Sequence, residues 1–221
     1  MKALMKFHQL LKKELKLLSN KFFIKVLLIF VVLFSFISCS DKEEKIPIID
    51  YQNKAQLLEI VKKHYNKDVQ FAFGGAFDES GKNGIAVGRE IENNDDWGIK
   101  FILLEKSGDD FETRYESELL DGSFKECFIN KIKFASFDYE LLYYNSQNYF
   151  IGSGGGEIYA YIVDCENKQI YYAHLVVESA KPASLFISDN ADNREIRNFF
   201  TLNFKRDYPD LRLVDDDIII E

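Results

Sequence analysis

From Val69 onward the chain alternates. Val69, Phe71 and Phe73 take every second position, with Gln70, Ala72 and Gly74 between them. This is the two-residue period of a strand. Further strand-like runs cover 84–91, 97–105, 111–116, 127–137, 140–144 and 149–152. Polar or glycine-bearing turns separate them: Asn93-Asn94-Asp95-Asp96, Ser107-Gly108-Asp109-Asp110, Asp121-Gly122 and Asn145-Ser146-Gln147-Asn148. The clearest hairpin joins 158–164 to 170–177 through Glu166-Asn167-Lys168. Short strands with no helix between them predict an antiparallel meander.

The period changes at both ends of this region. Asn53 precedes Gln56 by three residues, the spacing of a capping box, and Leu57, Leu58, Val61 and Tyr65 then share one face. A second helix is expected over 193–208, capped by Asp192, with Glu195 in its first turn. Its stripe is Ile196, Phe199, Phe200 and Phe204, and Pro209 ends it. Residues 211–214 and 218–220 suggest a last strand around a solvated Asp215-Asp216-Asp217 turn. The expected fold class is therefore α+β. An antiparallel β meander carries an N-terminal and a C-terminal helix packed on it, over 51–221, behind a charged tether at 39–50.

The first 44 residues follow a different pattern. Lys2, Lys6, Lys12, Lys13, Lys16, Lys21 and Lys25 precede an apolar run, Val26 to Ile37. Ser38 and Cys39 follow, and then polar Ser40, Asp41, Lys42, Glu43 and Glu44. This layout resembles a bacterial lipoprotein signal, with Phe36 where an aliphatic residue is usual. The resemblance implies that residues 1–38 are a signal peptide and that Cys39 is lipidated on sulfur and becomes the acylated N-terminus. The twelve-residue run is short for a spanning helix, which needs roughly 20 residues; an uncleaved anchor is the alternative. Ser40 stands where Asp would hold such proteins in the inner membrane of enteric bacteria. Asp41, Glu43 and Glu44 resemble surface-export signals. The expected location is the cell envelope, lipid-anchored in the outer membrane and facing outward.

Charge and composition narrow the function. The chain carries 28 basic and 36 acidic residues. Without the seven Lys and one Glu of residues 1–38, 21 basic and 35 acidic remain, a net charge of −14. Such a surface repels phosphate backbones, which argues against nucleic acid. A basic protein or a cation is the more natural electrostatic partner, but solubility on a crowded surface is the preferred reading of the charge. Met1 and Met5 leave with the signal, and thioether metal sites with them. Cys127 and Cys165 remain and form a candidate disulfide outside the cytoplasm, with two separately buried thiols as the alternative.

Several short patterns carry candidate chemistry. Residues 75–87 resemble one FG-GAP or VCBS-type repeat through Gly75, Phe77, Gly81, Lys82, Ile85, Ala86 and Val87. That family holds calcium on an acidic turn. Here Ala76, Ser80 and Gly84 occupy the acid positions, leaving Asp78 and Glu79 off-pattern, so the expectation is a glycine-rich hairpin without metal or cofactor. Gly152-Ser153-Gly154-Gly155-Gly156 precedes strand-like sequence rather than a helix, which argues against a phosphate loop. His64 and His174 have no metal-ligand spacing. Ser153 or Cys165 with His174 would make a hydrolase if they met in space. Tyr143, Tyr144, Tyr149, Tyr159, Tyr161, Tyr171 and Tyr172 gather around the central hairpins. A tyrosine-rich sheet face can bind a protein loop or a glycan, or simply pair across strands. Trp97, Tyr159, Tyr161, Tyr171 and Tyr172 are the binding candidates.

The function expected is a membrane-anchored, non-catalytic ligand- or protein-binding module. The alternatives are an immunity-type protein that neutralises a toxin through its acidic surface, and the hydrolase.

Overall fold

A computed structural model describes residues 46–65, 67–93, 96–146, 155–178, 181–210, 212–215 and 218–219. Cys39, Ser153, the expected strand 149–152 and most of the terminal turn lie outside the described residues. The chain divides between Glu44 and Lys45, and the unit Lys45–Glu221 carries the fold.

Two helices and eleven strands occupy the described residues. They are α1 (Lys54–His64), β1 (Phe71–Gly75), β2 (Gly84–Glu92), β3 (Trp97–Ser107), β4 (Asp110–Glu116), β5 (Cys127–Ile132), β6 (Leu141–Ser146), β7 (Gly155–Asp164), β8 (Gln169–Glu178), β9 (Ala183–Ile187), α2 (Arg194–Asp207), β10 (Leu213–Asp215) and β11 (Ile218–Ile219). The α+β class and the antiparallel character agree with the sequence pattern. The single meander does not, because the strands divide into a four-stranded sheet, β1-β2-β3-β4, and a seven-stranded sheet, β11-β10-β9-β8-β7-β6-β5. The break falls in the irregular segment 117–126, and among the described residues only β10 against β9 runs parallel.

Alternation explains the layering. Ala72, Ile85, Val87, Ile102 and Leu104 point to one side of the smaller sheet, where Leu57, Ile60 and Val61 of α1 cover them. Phe73, Ala86, Ile99, Phe101 and Leu103 point to the other side and meet Leu142, Tyr144, Tyr161 and Val163 of the larger sheet. The opposite face of the larger sheet, with Tyr143, Ile158, Ala160, Ile162, Ala173 and Leu175, packs under Ile196, Phe200 and Phe204 of α2. The result is four layers: helix, sheet, sheet, helix. Each fully buried Phe or Leu in these layers contributes about 1.5–3 kcal/mol by leaving water.

Local signals place the helices. Asn53 Oδ1 accepts the Gln56 N–H at 3.1 Å. At α2 the cap is Asn193 rather than Asp192: its Oδ1 accepts the Glu195 N–H at 2.8 Å. Glu195 reaches instead to Ser136, accepting from its N–H at 2.9 Å and its hydroxyl at 2.6 Å. The folded body also begins before residue 51, since Ile46 is buried in the core beneath α1. The expected strand 127–137 stops at Ile132, where Phe134 and Phe137 fold back in a turn onto Phe199 and Tyr139. Gly74 marks a close approach: a side chain there would collide with the main chain of Tyr51. Among the described residues no helix is long and apolar enough to cross a membrane.

Candidate functional site

The seven-stranded sheet is wider than the four-stranded sheet packed on it. The shared core reaches β6, β7 and Ile170 at the start of β8, and includes no residue of β9. The inner face of the larger sheet therefore overhangs its neighbour along the rest of β8 and β9.

A row of aromatic rings runs from the shared core out onto that overhang. Tyr144 stacks near Tyr161 with centroids 5.7 Å apart, and Tyr161 runs nearly parallel to Tyr159 at 6.4 Å. Tyr159 lies flat on His174, 4.3 Å apart and 7° from parallel, and His174 meets Phe186 at 6.2 Å. Register explains the row: Tyr159 is the cross-strand partner of His174, which is the partner of Phe186, and Tyr161 is the partner of Tyr172. Burial falls along it, from Tyr144 at 0% exposure to Phe186 at 50% and Tyr172 at 46%.

Polar atoms at the strip are organised by one carboxylate. Glu157 Oε2 accepts from the Tyr159 hydroxyl at 2.9 Å and lies 3.2 Å from His174 Nε2. The Tyr161 hydroxyl donates to Asp121 O at 3.0 Å, and burial, with Asp121 nearby, pushes its pKa well above the ordinary tyrosine value. That ring is a fixed support rather than a titrating group.

The predicted binding residues divide. Tyr159, Tyr161 and Tyr172 share this face. Tyr171 does not: it points to the opposite side, under α2. Trp97 opens β3 in the other sheet, opposite Glu92, and is half exposed. Phe186 was missed because the short run 183–187 gave no clear alternation in the sequence.

The two cysteines are free thiols and do not meet. Cys127 pairs with Ser146, whose hydroxyl bonds the main chain of Tyr159. Cys165 lies six residues further along, just past the end of β7, roughly 20 Å at strand rise. A disulfide requires Cα atoms within about 7 Å, so the candidate bridge is corrected. The same spacing separates Cys165 from His174, the partner of Tyr159, and removes that catalytic pair. Burial and Asp164 push the Cys165 thiol up to about 12; burial and Glu90 push Cys127 up to about 11. Neither is poised as a thiolate nucleophile.

The FG-GAP-like segment forms the β1–β2 hairpin, Gly75 opposite Gly84. Asp78 Oδ1 is engaged within the turn, accepting from the Ser80 N–H at 3.0 Å and its hydroxyl at 2.5 Å. Among the described residues no group of three or more His, Cys, Asp or Glu side chains is placed to hold a metal ion.

A second feature lies where β4 faces the β7–β8 turn and the start of β8. Two open polar clefts of about 410 and 380 Å³ run beside β4, sharing Lys168 on the β7–β8 turn. Glu112, Thr113, Arg114, Cys165 and Glu166 line one; Tyr115, Glu116, Glu118, Gln169 and Asn190 line the other. Lys168 holds φ at 55°, which turns the hairpin back along the groove.

Compared with family models, curated proteins and solved structures, the chain matches none of them.

Proposed function

We propose that this chain is a lipid-anchored lipoprotein of the cell envelope whose Lys45–Glu221 unit is a non-catalytic, protein-binding module. The observation that carries the binding reading is the aromatic strip on the overhang, Tyr159, His174, Phe186 and Tyr172. The lipid anchor rests on the sequence around Cys39, and outer-membrane placement rests on Ser40 with the acidic residues behind it.

The ring geometry favours protein over glycan. A sugar stacks on an open ring face. Here Tyr159 and His174 cover each other's faces and share Glu157, so ring edges, not ring faces, are what a ligand meets. Ring edges suit edge-to-face contact with a protein loop, and aromatic residues are enriched at such interfaces. The immunity-type reading is a special case, favoured by the acidic groove along β4.

The test places a photo-crosslinking amino acid at Phe186, and at Leu202 as a control on exposed α2 surface, in the lipidated protein on intact cells. The expected result is a protease-sensitive adduct from position 186 that is lost with Tyr172→Asp. Equal labelling at both positions, or an adduct resistant to protease, would overturn the reading.

A further inference from the structure

The four-stranded sheet ends in an open edge. β4 pairs with β3 on one side, and among the described residues no other strand pairs with it. The β3–β4 hairpin turns through two residues, Gly108 and Asp109, with Gly108 at φ 64°. A two-residue turn with positive φ at its first position makes Ser107 and Asp110 the closing hydrogen-bonded pair. Alternation then aims the main-chain groups of Phe111 and Thr113 away from β3. The Phe111 N–H accordingly bonds the Asp110 side chain at 2.7 Å rather than a neighbouring strand. The Phe111 carbonyl and both main-chain groups of Thr113 face the groove side.

Charge selects what can sit there. Arg114 is held by Glu105 at 3.1 Å and Glu116 by Lys100 at 2.9 Å. Glu112, Glu118 and Glu166 line the two clefts, with no ion pair to a cation among the described residues. β4 itself carries Asp110, Glu112 and Glu116 against the single Arg114, so a second copy laid along it would meet its own charge. Natural edges use such charge to block self-pairing, and the same charge attracts a basic strand.

We infer that the open edge of β4 is a strand-addition site for an extended, lysine- or arginine-bearing segment of a partner protein. The segment becomes the fifth strand of the smaller sheet, with main-chain bonds to Phe111 and Thr113. Its basic side chains enter the clefts on either side of Lys168. In strand addition the main-chain bonds give affinity and the pockets give specificity. The clefts lie along β4 about three to four residues apart, roughly 10–13 Å at strand rise. This inference rests on the main-chain geometry and charge of β4, which adjoins the aromatic strip at Ile170 but is argued without it.

The experiment uses the mature lipoprotein in detergent and a fluorescein-labelled nonapeptide of alternating valine and lysine, read by anisotropy. Binding is expected, with an affinity that falls as salt rises. Thr113→Pro removes an N–H that β3 does not use, together with the hydroxyl that bonds Tyr65 at 3.1 Å, so its melting temperature should match that of Thr113→Val, which loses the same hydroxyl. Loss of one such bond should weaken the peptide by up to about tenfold. Thr113→Val keeps the N–H and should bind like the parent. Glu112→Gln with Glu118→Gln should also weaken binding. An alternating valine and glutamate peptide binding equally well would overturn the inference. So would undiminished binding to a folded Thr113→Pro protein, or self-association of the protein through β4.

Discussion

Single tyrosines do structural work that their sequence clustering did not reveal. Tyr144 is fully buried between the sheets, yet its hydroxyl donates to Ser123 O at 2.9 Å and accepts the Ser123 N–H at 3.1 Å. With Tyr161 bonding Asp121, it pins the segment that crosses from one sheet to the other. Tyr144→Phe keeps the ring and leaves two main-chain groups of Ser123 without that oxygen. The expected cost is about 1–3 kcal/mol in urea unfolding. A loss below roughly 0.5 kcal/mol, the level of an ordinary surface change, would show that the segment is not held this way.

Elements were legible where period and length agreed. The helix at 54–64 and the hairpin of β7 with β8 could be read because capping residues and alternation pointed to the same answer. The split into two sheets could not be read. It depends on what crosses through 117–126, and nothing local distinguishes a turn within a sheet from a passage between sheets. β9 was missed because Ala183, Leu185 and Ile187 sit among Ser184 and Phe186, so the apolar count does not alternate. Of the candidate site, tyrosine enrichment marked the right hairpin. The face of each residue follows from register, however, and one step along β8 sends Tyr171 under α2 and leaves Tyr172 on the overhang. The acidic β4 edge was visible only as scattered charge until the turn at Lys168 supplied the groove's second wall.

At the scale of the whole molecule, the buried phenols and thiols make stability sensitive to alkali. The ordinary values are 9.0 for a thiol and 10.0 for a phenol; folding raises Cys127 to about 11 and Tyr115 and Cys165 to about 12, burial being the largest cause in each case. Tyr139, Tyr143 and Tyr161 are raised further for the same first reason. These groups ionise in the unfolded chain before the folded one, so their contribution is complete below pH 9 and is lost as pH climbs through the folded values. Each group charged only in the unfolded chain removes about 1.4 kcal/mol per pH unit above its unfolded pKa. The urea midpoint should therefore fall steadily between pH 9 and 12. A midpoint unchanged to pH 11 would mean that these side chains are not buried as described.

The central claim is that this four-layer body hangs from a lipid on Cys39, where the binding strip and the β4 edge can meet partners outside the cytoplasm. The most direct measurement is metabolic labelling of cells with an alkyne fatty acid, comparing the parent with Cys39→Ser. The account predicts a labelled mature form in the parent, and an unlabelled, full-length precursor retained in the membrane for the variant. A Cys39→Ser protein that matures normally, or a parent that takes up no label, would contradict it.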